Sequence, residues 1–485
     1  MNPVTHSKTA PEDRIKFSHK VAYGVGAFVN NLLGAASGGM MIVLNLGLGM
    51  NPALVGLLGA LPRLTDAFTD PLMGYISDNS ITRWGRRRPF IFGGAIAAGI
   101  TFAILWQLPG NHSETFYFWW FLIGSIVFFA AYTVFATPWV ALGYELTPDY
   151  HERTRLMGTQ NFIGQLAFVV SPWFLWIMNS GRFFRNEAGE PDQVAGAGGL
   201  AIVIALVVIG LGMLPALVLR ERMKDVATAE AAAAGRAHGF KENLVEFFKG
   251  FGVTLSNGPF LKLCLATFLV FNGFMLIASF QFYVIIYYVT GGDQTAGAKY
   301  AGWAGTVGAI CTFVVVVFIT WLGTKIGKRH AFFVSIGLSI VGYGLKWVCY
   351  NPDLPYLVVL PAPLMAFGLG GLFTLVPSMI ADVVDTDELK THERREGMFG
   401  SIFWWMVKLG MAAALAASGY LLNATGFDVD LGGNQAARTI FLLRLCDAGI
   451  PMVTSAIAIW AVYKFPITEA RANEVRQELE QRRGK

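Results

Sequence analysis

The stretch PRLTDAFTDPLMGYISDNSITRWGRRR, residues 62–88, carries three charged side chains into an apolar run and ends in a cluster of arginines. Asp66 and Asp70 are four residues apart and share one helical face, with Arg63 on the same side. If the run begins near Leu54, the two carboxylates lie roughly 18–24 Å into a hydrocarbon layer about 30 Å thick. Each charge would cost about 2.5–3.5 kcal/mol facing lipid, so the stretch predicts a membrane helix whose charged face meets water or protein.

The two carboxylates have two interpretations. Pro71 lacks an N–H and leaves a helical carbonyl without its partner, so this carbonyl together with Asp66 and Asp70 could hold a cation. The alternative is a structural cluster in which Arg63 and the acids hold helices together. Ionisable residues inside a membrane are functional by default, which favours the cation site.

Composition indicates a membrane protein. Of the 485 residues, 54% are hydrophobic and only 14% are charged, whereas a soluble protein carries about 25% charged residues. Residues 1–16 are polar, so no signal peptide is expected. The net charge of +5 comes from basic residues in short loops and does not indicate nucleic-acid binding.

Twelve apolar runs are long enough to span a bilayer, which predicts an all-α membrane protein. The runs are residues 20–48, 53–77, 89–108, 117–144, 157–179, 199–219, 260–289, 300–323, 331–350, 356–381, 398–422 and 439–464. Arginine and lysine are concentrated after the second, fourth, eighth and tenth runs. Both termini are therefore expected on the cytoplasmic side of a plasma or bacterial inner membrane.

The longest connection divides the runs six and six. The predicted divisions are an N-terminal half at 1–219, a cytoplasmic linker at 220–258, a C-terminal half at 259–465 and a cytoplasmic tail at 466–485. In the linker, residues 240–251 space apolar side chains as in a helix on the membrane surface, or one packed on the underside of the bundle. Residues 138–158 and 377–400 resemble each other, which indicates two repeats with a binding site between them near mid-membrane.

A lysine lies at similar depth in the second half. Lys408 is eleven residues into its run, roughly 16 Å deep, and needs a partner there. Asp66 and Asp70 are the candidates, which predicts a charge pair across the halves that is made or broken as a cation arrives.

Three further charged residues lie in the ninth and twelfth runs, and one of them, Lys346, is close to the predicted outer end of the ninth. Lys346 is expected to snorkel to the membrane interface and is given no role. Arg444 and Asp447 are three residues apart on one helical face and are expected to pair with each other.

Polar and aromatic residues within the runs are candidate solute contacts, since amides bind hydroxyl groups and rings stack on the apolar face of a sugar. The substrate-binding candidates are Tyr23, Asn30, Asn31, Arg63, Trp139, Gln160, Asn161, Asn272, Gln281, Trp404 and Lys408. Interhelical hydrogen bonding explains any single amide equally well. For any single ring, anchoring at the membrane interface or core packing is the better explanation.

Charges of opposite sign lie on the predicted cytoplasmic loops. We interpret them as an inner gate of ion pairs that part in each transport cycle, each pair being worth about 0–1 kcal/mol. Solvated surface charge is the alternative. The gate candidates are Asp78, Arg86, Arg87, Arg88, Asp382, Asp385, Arg394 and Arg395.

The sequence contains no GxxxxGK[ST] phosphate loop, no HExxH zinc motif and no GxSxG nucleophile motif. An ATP-driven pump and a membrane-embedded hydrolase are therefore not supported. The chain is predicted not to be an enzyme and to use no cofactor, metal or otherwise, apart from a coupling ion.

Several motifs together resemble the glycoside–pentoside–hexuronide:cation symporters of the major facilitator superfamily. They are RLTDAFTDPLMGYISD followed by RWGRRRP, AAYTVFATPW in the fourth run, and DVVDTDELKTHERREGMFGSIFWWMVKLG leading into the eleventh. The resemblance covers the whole chain and implies the major facilitator fold. It implies that Asp66 and Asp70 bind the coupling cation, that Thr133 assists them, and that Lys408 links the cation site to the sugar site. Arg63 matches a family arginine near the same cavity.

The chain departs from the melibiose-transporting member at three positions. A third carboxylate of the fourth helix falls at Ala136, a sugar-binding acid falls at Asn31, and a sugar-binding arginine falls at Asn161. Melibiose is therefore not the expected substrate. The missing carboxylate favours H⁺ over Na⁺, because a proton needs only one buried acid.

The sequence thus predicts a cation-coupled symporter of a sugar or glycoside that works by alternating access, with H⁺ favoured and Na⁺ as the alternative ion. A second hypothesis is transport of an amphiphile such as a lysolipid. A third is a non-transporting sensor on a transporter scaffold. The expected partners are the solute and the lipid bilayer, with no nucleic acid and a monomeric state.

Overall fold

The structure is a computed structural model that describes residues 14–80, 82–110, 112–147, 150–180, 184, 192–221, 256–278, 280–391 and 396–482. In these residues, eleven helices are long and apolar enough to cross a membrane, and no strand occurs. The helix Pro52–Asn79 has 28 residues, and its described residues include the shorter apolar segment Pro52–Thr65. The predicted all-α class is confirmed, and Pro52–Asn79 is the twelfth helix of the series.

The helices follow the predicted order along the chain. The first six are α1 Phe17–Gly39, α2 Pro52–Asn79, α3 Arg88–Leu105, α4 Glu114–Glu145, α5 Tyr150–Val170 and α6 Gln193–Gly212. The others are α7 Gly258–Ile277, α8 Gln294–Ile326, α9 Lys328–Cys349, α10 Ala362–Thr391, α11 Glu396–Ala424, α12 Ala437–Tyr463 and α13 Glu469–Arg482. Short helical segments extend α1, α5, α6 and α7, namely Ile42–Leu46, Ser171–Trp173, Phe174–Met178, Leu214–Val218, Phe280–Tyr283 and Val284–Val289.

Side-chain caps fix where four of these helices begin. Ser113, Asp192, Asn257 and Asp293 each accept a hydrogen bond from the backbone N–H three residues later. These bonds satisfy N–H groups that have no partner within the helix. Gly327 has φ +81° between α8 and α9, a conformation that favours glycine.

Packing divides the chain into two compact units. The first unit is Met1–Met40 with Leu64–Phe240, and the second is Met41–Arg63 with Lys241–Lys485. Helix α2 is therefore shared between the units at Arg63. The predicted domain limits stay a prediction, and the predicted linker helix at 240–251 lies outside the described residues.

The helix pairs within the two units correspond. In the first unit, α1 packs along α5 and α6, and α3 packs along α4 and α6. In the second unit, α7 packs along α11 and α12, and α9 packs along α10 and α12. Adding six to each helix number in the first set gives the second set, as expected for two six-helix repeats.

Within the second unit, the segment Met41–Arg63 is joined to helices of the C-terminal half. The buried Tyr283 hydroxyl donates to Asn45 Oδ1 at 2.8 Å. A Cβ added at Gly56 would lie 2.7 Å from the Leu415 carbonyl oxygen, and one added at Gly419 would overlap the Pro52 carbonyl oxygen. Glycine is needed at both positions because backbone atoms cannot move aside, and small residues let membrane helices approach closely.

Replacing Gly419 by alanine should lower the free energy of unfolding by about 1–3 kcal/mol, the usual cost of overpacking. Thermal unfolding of the purified protein measures this change. Gly337→Ala on α9 is the matched control, because no described atom lies within 4 Å of the position its Cβ would take. An unfolding temperature for Gly419→Ala equal to that of the control would contradict the close approach.

Candidate functional site

In the first unit, Asp70 on α2 is held by a buried threonine of α4. Thr133 Oγ1 donates to Asp70 Oδ1 at 3.1 Å, and the Thr133 side chain is 2% exposed. The Thr69 and Thr133 hydroxyl oxygens are 3.5 Å apart, and Thr69 also donates to the Thr65 carbonyl at 3.2 Å. The arrangement gathers a carboxylate and two hydroxyls, which are groups that can accept a proton or contact a small hard cation.

Two other predicted site residues, Arg63 and Asp66, also lie on α2. Arg63 is half-buried, seven residues before Asp70. Asp66 lies one turn before Asp70, and its side chain is outside the described part of the structure. Among the described residues, no group of three or more His, Cys, Asp or Glu side chains could hold a metal ion.

The two predicted amides of α1 are hydrogen-bonded to neighbouring helices. The Tyr132 hydroxyl of α4 donates to Asn30 Oδ1 at 2.7 Å. Asn31 Nδ2 donates to the Gly164 carbonyl of α5 at 3.0 Å. These bonds favour the interhelical interpretation of both amides. Tyr132 was missed by the sequence reasoning, although it directly precedes Thr133 in the AAYTVFATPW motif.

Two predicted aromatic residues of the first unit pack on each other. The rings of Tyr23 and Trp139 are stacked with centroids 5.1 Å apart, and both side chains are buried. Trp139 Nε1 also donates to the Tyr23 carbonyl at 3.2 Å. This contact favours core packing over stacking on a sugar. On α5, Asn161 is exposed and accepts from Gln165 at 3.5 Å, while Gln160 is half-buried.

In the second unit, α11 presents an indole ring and a lysine one turn apart. Trp404 is 52% exposed, and the Lys408 side chain is also exposed. The Trp404 ring stacks on Phe373 of α10 at 5.9 Å with an interplanar angle of 4°. Phe373 in turn contacts Phe271 of α7 at 5.5 Å. An exposed aromatic face supported from behind is a suitable platform for the apolar face of a sugar.

Asn272 on α7 is buried, and its amide has no hydrogen-bond partner among the described residues. Its side chain is 7% exposed, and both Nδ2 and Oδ1 are unpaired within that part of the chain. Leaving a buried polar group unpaired costs about 1–3 kcal/mol, so this amide is a candidate for binding a solute hydroxyl. It lies against Gly410 of α11, where an added Cβ would overlap the amide nitrogen. The predicted Gln281 is half-buried further along the chain.

The predictions for Lys346 and for the Arg444–Asp447 pair are wrong. Lys346 does not snorkel, because its Nζ lies 2.6 Å from Asp447 Oδ1 and both side chains are 2% exposed. Arg444 instead donates to the Trp347 carbonyl at 2.7 Å. The sequence gives the depth of a residue along its helix, but it does not show that α9 packs against α12. That packing lets Lys346 and Asp447 form a buried ion pair between helices, which compensates each buried charge.

At the predicted cytoplasmic end of the first unit, Glu221 caps α3. Its carboxylate accepts hydrogen bonds from the backbone N–H groups of Arg86, Arg87 and Arg88 at 2.7, 2.7 and 3.2 Å. An anion is favourable there because the N–H groups at a helix N-terminus lack partners and carry partial positive charge. The sequence reasoning missed Glu221, which lies outside the loop that holds the arginines.

The side chains of two of these arginines bind backbone carbonyls of the same unit. The buried Arg87 donates to the Ala141 carbonyl at 2.8 Å, and Arg88 Nε donates to the Ala216 carbonyl at 2.6 Å. The side chain of Asp78 is outside the described residues. Its pairing with the arginines, and hence the gate, stays a prediction.

In the second unit, Asp382 of α10 pairs with Lys328, the first residue of α9. The two oxygens of Asp382 are each 2.7 Å from Lys328 Nζ. Asp385 is half-buried one turn further along α10. Arg394 and Arg395, the predicted partners, lie outside the described residues, so their part in the gate also stays a prediction.

Glu152, at the start of α5, forms a third charged cluster. Its side chain is 2% exposed and accepts from Lys20 Nζ at 2.7 Å, from the Ile15 N–H at 2.9 Å and from Arg155 at 3.1 Å. Burial by itself raises the pKa of Glu152, but the hydrogen bonds from Lys20, Ile15 and Arg155 together outweigh it and hold the pKa below its ordinary value of 4.5. The cluster joins the residues just before α1 to α5.

A family model described as MFS/sugar transport protein matches residues 22–469. The chain belongs to the glycoside–pentoside–hexuronide:cation symporter family of the major facilitator superfamily. The family consists of transporters, so the protein is not an enzyme.

Two relatives from this symporter family differ in the solutes that their names give. The isoprimeverose transporter of Lactiplantibacillus pentosus is 24% identical, over 92% of this chain and 89% of its own length. The sodium-dependent lysophosphatidylcholine symporter 1 of Gallus gallus is also 24% identical, over 96% of this chain and 90% of its own length.

A solved structure supports the fold. The bacterial homologue of the human lysosomal transporter Spinster, inward-facing and unoccupied, matches with a TM-score of 0.65 at 15% identity. The match covers 92% of this chain and 96% of that one. It shows the major facilitator fold predicted for a member of the symporter family.

Replacing Glu152 by glutamine should lower the free energy of unfolding at pH 7 by about 2 kcal/mol, the scale of hydrogen bonds to a charged group. Because the folded-state pKa is below 4.5, this stabilisation is fully present above about pH 4.5 and is lost as the pH falls through the lowered pKa. Thermal unfolding at pH 7 and at about pH 3.5 should therefore show a difference from wild type that shrinks in acid.

The exposed Asp353 provides the control, and Asp353→Asn should match wild type at both pH values. If Glu152→Gln differs from wild type equally at both values, the carboxylate is not the stabilising group.

Proposed function

We propose that this protein is a symporter that couples the entry of a sugar or glycoside to a cation and works by alternating access. The observation that carries the proposal is the hydrogen bond from the buried Thr133 to Asp70. It fixes a carboxylate inside a membrane helix, on the helix whose sequence first indicated a cation site. A carboxylate at that depth carries a free-energy cost, and for this reason ionisable side chains inside a membrane are as a rule functional.

We favour H⁺ as the coupling ion, with Na⁺ as the alternative. The position where the family resemblance implies a third carboxylate is Ala136, which supplies no side-chain oxygen. A proton needs only one acid, whereas Na⁺ needs several oxygen ligands. The Thr133 and Thr69 hydroxyls near Asp70 are the side-chain oxygens that the alternative ion, Na⁺, would use.

The proposed solute contacts lie on α11 and α7. The exposed Trp404 ring, stacked on Phe373, suits the apolar face of a sugar, and Lys408 lies one turn away. The unpaired amide of Asn272 suits a sugar hydroxyl. In the proposed cycle, the cation neutralises the acidic site on α2, and that change of charge favours solute binding at Lys408.

A second candidate solute is an amphiphile such as a lysolipid. It is supported by the similarity to the lysophosphatidylcholine symporter, because the sequence identity is 24% both to that protein and to the isoprimeverose transporter. Competition by detergent-like molecules distinguishes the two solutes, because only a lipid site should be blocked by them.

Asp70→Asn should abolish uphill uptake of the solute in proteoliposomes while leaving solute exchange, because the amide cannot carry the coupling cation. If the coupling ion is H⁺, Thr133→Val should strengthen apparent cation affinity about tenfold, because the lost hydroxyl donates a hydrogen bond that stabilises the proton-free carboxylate. If the ion is Na⁺, the same change removes an oxygen ligand and should weaken the apparent affinity. The measurement is uptake of labelled glycosides, pentosides and uronides under an imposed cation gradient.

Asp353→Asn serves as the control, since it removes an exposed carboxylate in the loop that follows α9. Wild-type uphill uptake by Asp70→Asn would rule out the proposed coupling site.

A further inference from the structure

Arg444 is a half-buried residue of α12, and no acidic side chain of the described residues pairs with it. Its guanidinium lies between two rings, 4.1 Å from the Tyr288 centroid and 4.5 Å from the Trp347 centroid. Within the described part of the chain, it donates one hydrogen bond, to the Trp347 carbonyl at 2.7 Å. Arginine has five N–H donors in a planar fork, so most of them are available to a ligand.

The neighbouring charges leave this region with one positive charge in excess. Lys346 and Asp447 form a buried ion pair at 2.6 Å and neutralise each other. Both line a narrow cleft together with Arg444, Trp347 and Tyr350. A cation without a counter-ion is costly in a membrane, so the excess charge calls for an anionic ligand.

The surroundings of Arg444 suit a lipid headgroup. It lies seven residues into α12, about 10 Å along the helix axis from its start, beside the last turn of α9. The side chains around it on the outer surface are apolar, with Val348, Phe441 and Leu445 all exposed. A ligand here meets a basic group next to an apolar, membrane-facing surface.

We propose that Arg444 binds the phosphate of an anionic phospholipid. The cleft has no room for a water-sized group, so the phosphate binds at its mouth, on the outer edge of the guanidinium. Planar arginine matches phosphate oxygens in pairs, and the two rings hold its plane in place. The acyl chains lie on the exposed apolar side chains nearby. This site is independent of the proposed transport function.

The test is binding of phosphatidylglycerol to the delipidated full-length protein, followed by native mass spectrometry. Arg444→Gln should weaken binding about tenfold, as for one lost hydrogen bond to a charged group. Arg438→Gln is the matched control, because it removes the same charge from an exposed position on the same helix and should bind as wild type does. A neutral galactolipid should bind all variants equally.

Equal phosphatidylglycerol affinity in wild type and Arg444→Gln would overturn the proposal. Full competition by inorganic phosphate would overturn the assignment to a lipid, because it would identify a soluble anion as the ligand. Thermal unfolding in galactolipid checks that Arg444→Gln is folded. If Arg444→Gln is not folded, phosphatidylglycerol binding by Arg444→Lys provides the test. Binding weaker than wild type supports a site that needs the planar arginine, and unchanged binding refutes such a site.

Discussion

The cost of placing an ionised side chain in hydrocarbon determines how the polar groups of this chain are arranged. In the second unit, Lys346 and Asp447 compensate each other's charge in a buried ion pair at 2.6 Å. In the first unit, the Asp70 carboxylate accepts a hydrogen bond from the buried Thr133 hydroxyl. Where charge is balanced within the protein, the interaction is structural. At Arg444, which pairs with no acidic side chain of the described residues, an anionic ligand from outside the chain is the natural counterpart.

The same physical rule operates at the predicted cytoplasmic ends of the helices, but there carboxylates bind backbone groups as well as side chains. Glu221 satisfies three N–H groups at the start of α3, and Glu152 joins the residues before α1 to α5. Each of these acids connects two segments of one unit. The contacts of Glu221 and Glu152 hold segments of one unit together and are therefore not suited to open in each cycle. A gate would depend instead on weaker ion pairs at the surface.

Hydropathy and charge in the sequence were sufficient to predict the all-α class, the order of the helices and the position of Asp70 on a charged helical face. The family resemblance added Thr133, which the structure brings to Asp70. Sequence spacing failed at Lys346 and Arg444, because it gives depth along one helix but not which neighbouring helix supplies the partner. The division of α2 between the units at Arg63 depends on close backbone packing at Gly56 and Gly419, which a linear pattern does not reveal.

The central claim is that solute and cation move together. The most direct measurement uses wild-type protein in liposomes, with a pH-sensitive dye outside, and adds glycosides, pentosides and uronides with and without sodium. We expect at least one solute to make the external medium more alkaline, to the same extent with and without sodium, as protons enter with the solute. Uptake of a labelled solute that depends on neither protons nor sodium would contradict cation coupling.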